Sequence, residues 1–96
     1  MYAVSMFSEV HCIVSGKVQA VGYRDFVVQA AKSKNLAGFV RNKDDGTVEI
    51  LAQGTPDNLK EFVEQLNEGS VLAKVDSVGV DWRTPKVQRT EFEVLF

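Results

Sequence analysis

One cysteine and one histidine are all that this chain offers of the side chains most used for disulfides, metal ligation and nucleophilic relays. Cys12 therefore has no internal disulfide partner, and it reads as a small core residue rather than a reactive thiol. His11 lies inside an apolar run, His11-Cys12-Ile13-Val14, so a Ser/His/Asp or Cys/His relay would have to reach its site from within a strand. No group of His, Cys and carboxylates shows ligand spacing, which leaves no expected metal; Asp44 and Asp45 read more simply as turn residues. No apolar run approaches the roughly 20 residues that cross a bilayer. Residues 1–7 lack the basic start and long apolar stretch of a secretory leader. A soluble, cytoplasmic protein without a membrane partner is expected.

An excess of positive charge is missing too. The formal net charge of -2 and pI near 5.3 give no global attraction to polyanions. The third strand, where Val48, Glu49, Ile50 and Leu51 stand, lacks the aromatics on which RNA bases stack, so no nucleic-acid partner is expected. Any anion site must be local. The phosphate-loop pattern GxxxxGKS/T and the dinucleotide pattern GxGxxG are both absent, which disfavours nucleotides.

What is present is a regular alternation of element types without repeat, linker or low-complexity tract. With 45% hydrophobic and 25% charged residues, the 96 residues suit one domain, 1–96. Residues 9–15 alternate as a central strand. Residues 22–34 place Tyr23, Phe26, Val27, Ala30 and Ala31 at helical spacing. Asn35 suits a left-handed cap, with Leu36 packing behind it. Residues 38–42 and 47–53 predict two strands joined by Lys43-Asp44-Asp45-Gly46, where the Asp-Gly pair is a strong hairpin signal because both turn positions can need positive φ. Thr55 and Pro56 open a second helix, with Leu59, Phe62, Val63 and Leu66 as its apolar stripe and Gly69 as its end. Val78, Val80 and Trp82 mark a fourth strand. Residues 91–96 mark a terminal strand with Phe92, Val94 and Phe96 on one side.

This order predicts an α+β, ferredoxin-like βαββαβ sandwich: a mostly antiparallel sheet, two helices on one face, and a short C-terminal strand. A right-handed crossover makes strands one and two parallel, so the loop after strand one and Asn42 at the end of strand two share an edge. That edge also receives the N-terminus of the first helix, where free amides favour an anion.

The loop itself is Gly16-Lys17-Val18-Gln19-Ala20-Val21-Gly22-Tyr23-Arg24. Bracketing glycines allow unusual dihedrals, so successive amides between Lys17 and Tyr23 can form a nest for phosphate oxygens. Arg24 adds a planar, permanent charge that binds two oxygens at once. Glycine-rich loops before helices also serve ordinary packing, and that reading stays open. Asn42 is ordinarily a turn former at such a position; its place on the loop's edge is what makes it a candidate to hold a water.

The stretch from Val14 to Arg24 resembles the first signature of acylphosphatases, and Gly38-Phe39-Val40-Arg41-Asn42-Lys43-Asp44-Asp45-Gly46-Thr47-Val48, continuing to Gly54, resembles the second. The resemblance extends over nearly the whole chain. It implies metal-free, cofactor-free hydrolysis of an acyl phosphate, with Arg24 and the amides of Lys17 through Tyr23 on the phosphate and Asn42 orienting the water. It implies no side-chain base, the proton passing to the substrate's own phosphate. The chain departs from the pattern at Ala20, where the family usually has glycine, and at Tyr23, where it often has phenylalanine. If position 20 requires positive φ, alanine costs roughly 1–2 kcal/mol there. Tyr23 is expected to pack as phenylalanine does, its hydroxyl reaching water. The competing class is a non-catalytic module that binds phosphate or carbamoyl phosphate; such a module has no need of a water-positioning Asn42. Glu91 and Glu93 discourage edge pairing by the last strand, and a monomer is expected.

Overall fold

The computed structural model describes residues 7–96; the N-terminal stretch read above for a leader lies outside them, Phe7 excepted. In chain order the elements are β1 (Ser8–Lys17), α1 (Tyr23–Ser33), β2 (Ala37–Asn42), β3 (Val48–Gly54), α2 (Pro56–Glu68), β4 (Lys74–Arg83) and β5 (Phe92–Leu95). They form a five-stranded sheet in the order β4-β1-β3-β2-β5, with β2 and β5 parallel and the other neighbouring pairs antiparallel. This is the ferredoxin-like α+β arrangement expected from the sequence.

Both helices bury their apolar stripes against one face of the sheet. Val10, Cys12 and Val14 of β1, Val40 of β2, and Val48, Ile50 and Ala52 of β3 form a single core with Val27 and Ala31 of α1 and Leu59, Phe62 and Leu66 of α2. Burying the Val, Ile, Leu and Phe side chains among them is worth about 1.5–3 kcal/mol each. Packing rather than helix propensity therefore fixes where the helices lie.

The helix ends follow the sequence closely. Asn35 has φ +56°, and the amides of Asn35 and Leu36 bond back to the carbonyls of Lys32 and Ala31 at 3.1 and 3.0 Å, a Schellman closure with Leu36 buried behind it. Thr55 caps α2 by accepting from the Asn58 amide at 3.3 Å, and Pro56 occupies the first helical position.

Three local expectations need correction. First, Gly46 has φ +91° but Asp45 does not share the left-handed region. The turn closes instead through the Gly46 amide on the Lys43 carbonyl (3.2 Å) and the Lys43 amide on the Thr47 carbonyl (2.9 Å). The Asp45 carboxylate accepts from the Thr47 amide and hydroxyl, bonds that hold its carboxyl below the usual range. Second, β1 does not stop before the loop: it bulges between Ser15 and Gly16 and continues to Lys17, paired with Val75 and Lys74 of β4. A side chain at Gly16 would begin 2.2 Å from the Lys74 carbonyl oxygen, so close approach of two backbones demands this glycine. Third, the Tyr23 hydroxyl does not reach water. The residue is buried, and its hydroxyl donates to the Leu66 carbonyl at 2.8 Å, one of the carbonyls that the last turn of α2 leaves without a helical partner. Burial pushes the phenol well above its ordinary pKa.

The helix-free face carries polar groups that satisfy one another. Glu49 accepts from His11 Nε2 (2.7 Å) and Arg41 Nε (2.5 Å). Burial alone would raise the Glu49 carboxyl, but these two donors outweigh it and lower its pKa.

Two tests follow from this packing. Tyr23→Phe leaves the Leu66 carbonyl without its donor, and urea titration is expected to show a loss of about 1–2 kcal/mol. Because the folded-state pKa of Glu49 is depressed, its contribution is present above the unfolded carboxylate pKa and is lost as pH falls through the folded one. The acid limb of a Tm-versus-pH curve is expected to be shallower in Glu49→Gln than in the parent.

Candidate active site

β1 and β2 both run antiparallel to β3, which lies between them, so their C-terminal ends emerge at the same end of the sheet. The segment after Lys17 turns there and enters α1. Its backbone is unusual at alternate positions: Ala20 has φ +59° and Gly22 φ +77°, both left-handed. Gly22 finds open space beside it, so conformation alone, without crowding, favours glycine there. Ala20 has no such freedom and carries the strain that the departure from the family pattern implies.

Gly22 is also the N-cap of α1 and provides no side-chain acceptor, so the first-turn amides of this helix are uncapped, in contrast to those of α2. An uncapped N-terminus combines free donors with the positive end of the helix dipole. Arg24 stands in that first turn, half-buried, with no carboxylate in ion-pairing distance among the described residues. Its guanidinium lies 5.2 Å from the centroid of the Phe96 ring. A ring face restrains the guanidinium plane but occupies none of its N–H donors.

These groups surround a cavity of about 120 Å³ lined by Val18, Ala20, Gly22, Tyr23, Arg24, Asp25 and Asn42. Asn42 is the last residue of β2, on the helix-facing side opposite Val48. Its side-chain oxygen Oδ1 is buried and finds no hydrogen-bond donor among the described residues. An unsatisfied buried acceptor costs about 1–3 kcal/mol unless a bound proton donor meets it. Arg24 and Asn42, the residue that carries this unused acceptor, thus line one cavity at the start of α1.

Of the ten residues singled out in the sequence, Val18, Ala20, Gly22, Tyr23, Arg24 and Asn42 come together around this cavity. Gly16, Lys17, Gln19 and Val21 do not line it. Gly16 and Lys17 belong to the strand pairing already described. Gln19 acts as a tether: its Nε2 donates to the carbonyls of Lys43 and Thr47, both at 2.9 Å, and so fastens the loop to the β2–β3 turn next to Asn42. Asp25 and Phe96 were missed by sequence reasoning. Asp25 is adjacent to Arg24 in the first helical turn, a signal that was legible. Phe96 comes into reach only because β5 pairs with β2, with Leu95 opposite Arg41.

His11 takes no part in this arrangement, since its ring is turned to Glu49 on the helix-free face. Cys12 is fully buried, and burial pushes its thiol up to about 12. Among the described residues no three His, Cys, Asp or Glu side chains converge as a metal cluster, and no helix is long and apolar enough to cross a membrane.

An uncapped helix start, an unpaired arginine and a strand-end asparagine thus surround one small cavity of an α+β domain. Comparison with known proteins gives the family. The profile described as Acylphosphatase matches residues 10–94, and the chain belongs to the acylphosphatase family. It is 38% identical over 87 residues to the acylphosphatase of Geobacillus thermodenitrificans, covering 91% of this chain and 93% of that one. It is 50% identical over 68 residues to the acylphosphatase of Bacillus subtilis, covering 71% and 75%. The crystal structure of acylphosphatase from Bacillus subtilis superposes with a TM-score of 0.90 at 39% identity, covering 93% of this chain and 99% of that one.

The strained position is directly testable. Relief of left-handed strain at residue 20 outweighs the added freedom of the unfolded chain, so Ala20→Gly is expected to stabilise the protein by about 0.5–1 kcal/mol in urea titration.

Proposed function

We propose that this member of the acylphosphatase family hydrolyses acyl phosphates to a carboxylate and inorganic phosphate, using the cavity between Arg24 and Asn42. The observation that supports it most is that Asn42, whose buried Oδ1 has no partner among the described residues, lines the same cavity as Arg24 at the uncapped start of α1.

The phosphoryl group sits against the first-turn amides of α1, with the Arg24 guanidinium forking two of its oxygens. Val18, Ala20, Gly22 and Tyr23 shape the cradle, and Gln19 holds it against the β2–β3 turn. A water keeps one proton in a hydrogen bond that it donates to Asn42 Oδ1, and this aims its lone pair at phosphorus. Attack forms the new O–P bond as the P–O bond to the acyl group breaks, and the bonding pair leaves with the carboxylate. The second water proton passes to a phosphoryl oxygen, giving dihydrogen phosphate and conserving the total charge of minus two. Charge builds on the equatorial oxygens in such a transition state, and fixed donors stabilise it without reorganisation. The carboxylate is a good leaving group, so neither a histidine nor a metal ion is needed. We place this activity in a single domain spanning residues 1–96, monomeric and cytoplasmic, acting on a small-molecule substrate.

Hydrolysis of benzoyl phosphate in EDTA tests the reading. The unmodified protein is expected to remain active. Asn42→Ala is expected to lose about 100-fold or more in kcat while inhibition by inorganic phosphate persists. Arg24→Ala is expected to weaken phosphate inhibition as well. A rate no faster than spontaneous hydrolysis, or full dependence on an added divalent ion, would overturn the proposal.

A further inference from the structure

β4 and β5 lie at opposite edges of the sheet, so residues 84–91 must pass three intervening strands to connect them. At about 4.8 Å per strand the span is close to 20 Å, within the roughly 26–29 Å that eight extended residues reach. This strap runs past the end of the sheet away from the cradle, where β1 starts and β3 ends, and it is fastened there by one side chain. Gln53, only 1% exposed, donates through Nε2 to the Val87 carbonyl (2.7 Å) and to Glu9 Oε1 (2.8 Å), and accepts from the Arg89 amide (2.9 Å). A buried amide with its donors and acceptor committed in this way fixes the strap in one position.

Between the strap and the helix-free face lies a cleft of about 590 Å³, lined by Glu9, Leu51, Arg83, Thr84, Lys86, Val87 and Arg89. Its size falls within the range of small-molecule sites. Its charge is unbalanced. Glu9 is 8% exposed, its oxygens directed at Gln53 and, at 3.9 Å, at Arg83. Arg83 also donates to Asp81 at 3.0 Å. Neither Lys86 nor Arg89 has a carboxylate in ion-pairing distance among the described residues. The Arg89 guanidinium rests 5.1 Å from the centre of the Phe39 ring, which restrains its plane and leaves its donors free. Leu51 provides an apolar floor, and Val87 presents a side chain that is 70% exposed.

We propose that this cleft is a second ligand site, separate from the cradle, for a small organic dianion with an apolar body, either a dicarboxylate or a phosphomonoester. With Arg83 engaged by Glu9 and Asp81, the cations Lys86 and Arg89, unpaired among the described residues, are left for the head group. Leu51 and Val87 take the apolar part. Because Gln53 holds the strap in place beforehand, binding requires no ordering of the loop.

An amide-shift NMR titration of the whole chain with phthalate tests the proposal, and phenyl phosphate titrated into Arg24→Ala distinguishes the phosphoester from the dicarboxylate without interference from the cradle. Saturable shifts are expected at Thr84, Lys86, Val87 and Leu51, weakening with salt, for at least one of the two probes. The Lys86→Gln/Arg89→Gln pair, which keeps the backbone amide used by Gln53, is expected to weaken binding about 10-fold or more and to leave acyl phosphate hydrolysis unchanged. Val87→Glu is expected to abolish binding by placing a like charge in the cleft. Shifts confined to residues 16–24, no saturable shifts with either probe, or equal affinity for phthalate and its neutral dimethyl ester would overturn it.

Discussion

Antiparallel pairing of β3 with strands on both its sides is the constraint on which the site depends. It sets β1 and β2 parallel, and so brings the end of one and the end of the other to the same end of the sheet. No direct bond between Arg24 and Asn42 is required for them to share a cavity. Their separation is set by backbone ladders whose repeat is rigid, while Gln19 trims the remaining freedom by binding the loop to the turn after Asn42. Geometry of this kind is available before any substrate arrives, which is what electrostatic stabilisation of a transient charge requires.

The two helix starts show how one structural device is used in opposite ways. Thr55 closes the start of α2, whereas Gly22 leaves the start of α1 open toward the cavity. Leaving donors unmet costs stability, and the left-handed Ala20 adds to that cost. The compensating attachment is on the same segment, where buried Tyr23 ties α1 to the last turn of α2. The site is thus locally unfavourable and held by its surroundings, a common arrangement where backbone must be kept in a functional shape.

Most of the fold was legible because its signals are local. Asn35 and Leu36 announced the end of α1, and Thr55-Pro56 the start of α2, through chemistry contained within a few residues. Candidates Arg24 and Asn42 were legible because topology alone places them on one edge. What the sequence concealed depended on partners distant in the chain. Gly16 reads as a loop glycine until Lys74 is seen against it. Tyr23 reads as a half-exposed aromatic until the Leu66 carbonyl is seen above it. Gln19 reads as one more amide of a loop, although its side chain is what matters. Gln53 gave no signal at all, since its three bonds go to residues 34 to 44 positions away.

The bulge that carries β1 through Gly16 and Lys17 into pairing with β4 bears on how the protein is built. The upstream end of the cradle is closed by residues almost sixty positions later in the chain, and contacts of such separation form only after a large loop has closed. During synthesis, both signature stretches leave the ribosome long before β4 does. A nascent chain that stops short of residue 74 would carry both signature stretches without the strand that pairs with Gly16 and Lys17.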